Sequence, residues 1–127
     1  MTAAKLSALI TLIVATCFLP VLVAAQNYGY LKDAAVSYFD DADVAMMLET
    51  VDAALDEEQP HAIREWKNPG TGNSGKAEVL GTLKSAAGAP CKRLQVTNVA
   101  HNGVSGRTSH TFCKETDKWM VVPREAK

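Results

Sequence analysis

The chain has 127 residues, 47% of them hydrophobic, with 13 Lys and Arg against 14 Asp and Glu and a net charge of −1. That balance gives no cationic excess for a nucleic-acid partner, and the length suits a single small domain.

Residues 1–25, MTAAKLSALITLIVATCFLPVLVAA, have the layout of a secretory signal. Lys5 supplies the positive start, Leu6 to Leu19 form the apolar run, and Pro20 breaks it. Val23-Ala24-Ala25 then offers the small residues a signal peptidase accepts. Val14-Ala15-Thr16-Cys17 faintly suggests a lipidation site, but Thr16 is a poor neighbour for a lipidated cysteine. Cleavage after Ala25 would leave 102 residues in an oxidising compartment. A disulfide between the two remaining cysteines, Cys91 and Cys113, is the default expectation there.

Residues 26–39, QNYGYLKDAAVSYF, show no sustained period and predict an N-terminal arm with a short helical piece around Leu31 to Tyr38. The domain proper is expected over 40–127. It opens with a helix, because Val44, Met47, Leu48, Val51 and Leu55 form one apolar stripe at helical spacing. Asp40 and Asp41 can cap it, Asp43 suits the positive end of its dipole, and Gln59-Pro60 ends it. Beyond Pro60 the period becomes strand-like over His61–Lys67, Lys76–Lys84, Cys91–Ala100, Arg107–Lys114 and Lys118–Val122. The expected fold is therefore α+β: one amphipathic helix on a four- to five-stranded antiparallel sheet, preceded by the signal helix.

The cysteines set a register. If Cys91 faces Cys113, Arg93 opposes Thr111, Gln95 opposes Ser109 and Thr97 opposes Arg107, and the turn falls at Asn102-Gly103, a strong hairpin dipeptide. Leu94, Val96 and Phe112 then share the face opposite the cysteines, with Lys92, Thr108 and His110, and can meet the helix stripe. Charge is also divided along the chain. Residues 26–60 hold nine acids and one base, whereas 61–127 hold eleven bases and five acids. Either an acidic helix and a basic sheet neutralise each other, or the sheet offers a basic face to an anionic envelope ligand. Lys92, Arg93, Arg107 and Lys114 are the candidates for such a patch.

One stretch looks catalytic. Gly70 to Ala77, GTGNSGKA, lacks only the final hydroxyl of a phosphate-binding loop. Its surroundings argue for a hairpin connection instead. The preceding segment is charged and ends in Pro69, the following one alternates and carries Gly81, and no apolar strand ending in Asp follows. His61, His101 and His110 lack zinc-site spacing. His110 also lies on the face away from Cys91, so the two do not form a nucleophilic pair. No catalytic residue, metal ligand or cofactor is expected.

The second half of the chain resembles the C-terminal domain of the bacterial seventeen-kilodalton surface antigen family of outer-membrane proteins. The likeness is carried in order by Trp66, Asn68, Pro69, Thr71, Gly72, Gly75, Cys91, Cys113 and Trp119, and spans about Asp40 to Val122. It implies an exported envelope protein with no established enzymatic activity. Three departures stand out: the family's glycine after Asp117 is absent, Lys118 leading directly to Trp119; Cys17 makes a poor lipidation site; and in place of a glycine-zipper segment before the helix the chain has NYGYLKDAAVSYF. A non-catalytic envelope protein with a structural or interaction role is therefore expected, in the periplasm or at the outer membrane. Its partner would be an envelope component or another envelope protein, and its membrane attachment is left open. The alternative is a binding or inhibitor module that uses the basic sheet face.

Overall fold

The computed structural model describes residues 28–123. The expected signal segment and Cys17 lie outside them. Two short 3-10 turns, Gly29–Leu31 and Val36–Tyr38, precede helix α1, Asp41–Asp56. Five strands follow: β1 Ile63–Lys67, β2 Ser74–Lys84, β3 Pro90–Val99, β4 Ser105–Glu115 and β5 Lys118–Val121. Each strand pairs antiparallel with the next, so chain order and sheet order coincide.

The register expected from the cysteines is the one found. Cys91 faces Cys113, Arg93 faces Thr111, Gln95 faces Ser109 and Thr97 faces Arg107. The disulfide is formed. Gly103, at φ +87°, turns the β3–β4 hairpin in the left-handed region that glycine tolerates. The last hairpin has no such residue. Thr116 and Asp117 take φ +46° and +63° between the paired Glu115 and Lys118. The chain thus makes a two-residue turn with both central residues left-handed, a conformation costly for a β-branched threonine.

One face of the sheet is covered. Met47, Val51, Ala54 and Leu55 of α1 bury against Ala77, Val79, Leu94, Val96 and Phe112. Alternation along each strand sends these residues inward and leaves Ile63, Leu83, Val99 and Met120 largely exposed on the outer face. The segment expected as an arm belongs to the core, because Leu31, Ala35 and Val36 are buried. Asp33 holds that segment in place. Its carboxylate accepts from the N–H groups of Ala35 and Val36 and from Asn98 Nδ2. It also fills the space where Gly106 has no side chain.

Candidate functional site

The loop between β1 and β2 is the phosphate-loop look-alike, and its geometry shows what it binds. Asp43, on the first turn of α1, is fully buried. Its carboxylate accepts from Asn68 Nδ2 at 2.9 Å, Thr71 Oγ1 at 2.7 Å, Asn73 Nδ2 at 2.7 Å and the Asp40 N–H at 3.0 Å. Asp40 in turn accepts from the Asp43 N–H, closing a capping box with aspartate at both positions. Burial alone would raise the Asp43 carboxyl. The donors, led by Asn73, then Asp40 N–H, Thr71 and Asn68, outweigh it and hold the group below its ordinary value. Three of the four donors come from the loop Asn68–Asn73, which docks onto the chain's own carboxylate.

Nothing in that loop is free to cradle a phosphate. The N–H groups of Thr71 and Gly72 donate to Asn68 O, that of Gly70 to Asn68 Oδ1, and that of Asn73 to Thr71 Oγ1. The segment after the loop is strand β2, which pairs with β1 and β3. It offers no helix N-terminus, on which phosphate binding depends. Lys76 points to the outer face, where it lines an open hollow of about 410 Å³ with Glu65, Lys67, Ser74, Thr97 and Val99. Gly75 is needed for close packing: a Cβ there would lie 2.5 Å from Trp66 Nε1 and Asn98 Oδ1 and 2.8 Å from Thr97 O.

The opposite end of α1 is held by Lys92. Its Nζ donates to Leu55 O at 2.7 Å and Glu57 O at 2.6 Å, placing a cation on the carbonyl end of the helix. Trp119 lies between Lys92 and Lys114, whose ammonium groups sit 5.4 Å and 5.7 Å from its ring centre. The indole N–H donates to Asp56 at 2.9 Å.

The four residues expected as one basic patch are thus divided. The register places Lys92 and Lys114 on the helix side of the sheet and Arg93 and Arg107 on the outer side with the cysteines. The physical reason is strand alternation, which sends neighbours such as Lys92 and Arg93 to opposite faces. The histidines are partly engaged. His110 Nε2 donates to Tyr30 O at 2.7 Å, and its ring packs edge-on against Tyr30. The His101 N–H donates to Asn73 Oδ1 at 2.7 Å, while His61 is exposed. Sequence reasoning assigned Asp43 to the helix dipole and missed its lock. The available signal was an acid three residues after an N-cap, combined with a loop rich in Asn and Thr.

Helix α1 is thus anchored at both ends to a disulfide-stapled meander, by Asp43 at its start and Lys92 at its finish. Residues 53–119 match the model of the family described as 17 kDa outer membrane surface antigen, and the chain belongs to that family. Membership implies an envelope or surface location. No curated protein and no solved structure matches the chain. Among the described residues no helix is long and apolar enough to cross a membrane.

Proposed function

We propose that this chain is a non-catalytic envelope module, exported and disulfide-locked, whose work is to hold or contact another envelope component. The observation that carries the reading is the use of its reactive-looking groups inside the fold. Asp43, Asn68, Thr71 and Asn73 bind one another, Lys92 caps a helix, and His110 ties the N-terminal segment to β4. Such groups stabilise a scaffold and are not presented to a substrate.

The outer face of the sheet supports the interaction half of the reading. It carries Lys67, Lys76, Arg93, Arg107 and Lys118 against Glu65, Glu78 and Glu115, so a net positive surface lies on the side that no helix among the described residues covers. An anionic envelope ligand is the second reading this face favours. Both are tested by exporting the tagged chain in a bacterial host, fractionating the cells and mapping the thiols of the recovered protein. The chain should fractionate with the envelope with Cys91 and Cys113 bonded. Recovery from the cytoplasm with free thiols would overturn the reading. For the anionic ligand, sedimentation with phosphatidylglycerol vesicles should fall as salt rises and on reversing Arg93. Lack of sedimentation at low salt would remove it.

A further inference from the structure

The two edges of the sheet are not equivalent. β1, at one edge, is five residues long with Arg64, Glu65 and Lys67 exposed along it, and Arg64 is paired with Glu57. Charged side chains on a short strand are the usual guard against edge pairing. At the other side β5 pairs only with Phe112 to Glu115 of β4, and one further bond joins Val122 N–H to Thr111 O. From Ser105 to His110, β4 has no strand partner on that side among the described residues.

The backbone groups that face this gap can be assigned. Cys91 and Cys113 have Cα atoms 4.0 Å apart, the spacing of a non-hydrogen-bonded pair. Odd-numbered residues of β4 therefore turn their N–H and C=O away from β3, as the Thr111 O bond to Val122 shows. Arg107 and Ser109 repeat that orientation at the unpartnered stretch. An open hollow of about 600 Å³ runs beside it, lined by Tyr30, Arg93, Arg107, Thr108, Ser109 and His110, none of them acidic.

We propose that this stretch of β4 is a strand-addition site for an extended acidic peptide segment of a partner protein. The guest would pair with the N–H and C=O groups of Arg107 and Ser109 and place alternate carboxylates beside Arg93 and Arg107. Alternation makes both arginines outward-facing, so a guest strand meets them with every second side chain. A second copy is the wrong occupant on charge. Its β4 would bring a second Arg107 against this edge, and on its β1 the one outward acid, Glu65, is offset by Lys67 on the same face. The inner side of the edge is already closed by Asp33 over Gly106 and by Tyr30 beside His110, which leaves the rim for the guest.

The site rests on the interaction reading above, and its test is separable from that one. The probe is a blocked octapeptide of alternating threonine and glutamate, titrated at low salt into the isotope-labelled chain purified after export. Amide shifts should concentrate at Ser105 to Thr111 and at Arg93. In the free protein the Arg107 and Ser109 amides should exchange quickly while those of Thr108 and His110 are protected. Arg107→Glu, or lysine in place of glutamate in the peptide, should weaken binding roughly tenfold or more. Ser109→Pro removes only an outward N–H and should abolish binding without unfolding. If that variant misfolds, Arg107→Glu still decides. No shifts, shifts confined to the Lys67 and Lys76 hollow, slow exchange of Arg107 and Ser109 in the free protein, or indifference to Arg107→Glu would each overturn the site. Envelope fractionation would stand in all of those cases.

Discussion

The two ends of α1 are both tied to the sheet, by opposite means. At the start a buried anion, Asp43, collects neutral donors from the β1–β2 loop; at the finish a half-buried cation, Lys92, reaches up from β3 to free carbonyls. The difference lies in what happens when one partner is lost. Removing Asp43 strands donors inside the protein, including Asn73, which is buried away from solvent. Removing Lys92 exposes carbonyls at a helix end that solvent can reach, because Glu57 and Glu58 beside it are only partly covered or exposed. The first tie should therefore be rigid, acid-sensitive and intolerant. The second should be adjustable.

The comparison can be broken first at its strong end. Asp43→Ala should destabilise by about 4 kcal/mol, measured by urea unfolding, since several bonds to one buried charge are lost together. A loss below that of Lys92→Met would reverse the ranking. Next in size is the covalent staple beside the second tie. Replacing Cys91 and Cys113 together by serine should cost about 3 kcal/mol in the same assay, from the loop-closure term. Lys92→Met keeps much of the stem but loses two charge-assisted bonds to the helix end, and about 1.5 kcal/mol should be lost. The smallest effect has the opposite sign. Thr116→Asn with Asp117→Gly fits the two left-handed turn positions and should stabilise by about 1 kcal/mol, seen as a higher melting temperature.

Much of this architecture was legible beforehand because it follows from periodicity. The stripe from Val44 to Leu55 located the helix, and one assumed bond, Cys91 to Cys113, set a whole register that placed Leu94, Val96 and Phe112 inward. The same alternation should have separated Lys92 from Arg93; treating nearby charges as one patch ignored it. The Asp43 lock was hidden for another reason. Its donors lie 25 to 30 residues further on, and only the packing of α1 over β1 brings them within reach. Asn and Thr in a turn satisfy local rules equally well when they bind nothing distant. The burial of Leu31, Ala35 and Val36 was likewise invisible, because a segment folded as two 3-10 turns displays no period to read.

Acid sensitivity separates the two ties most sharply. The Asp43 carboxyl has a lower value in the folded chain than in the unfolded one, so the unfolded state takes up its proton first as pH falls. The stability it contributes is complete above the ordinary aspartate range and is lost as pH drops through that range toward the folded value.

The most direct measurement is a pH titration of the Asp43 side-chain carboxyl carbon by NMR, following the Asn68 and Asn73 side-chain amides alongside it. Its midpoint should fall below that of an ordinary aspartate, with both amides moving in step as the lock releases. A midpoint at or above the ordinary value, or amides that do not respond, would contradict the claim that this loop binds the protein's own carboxylate.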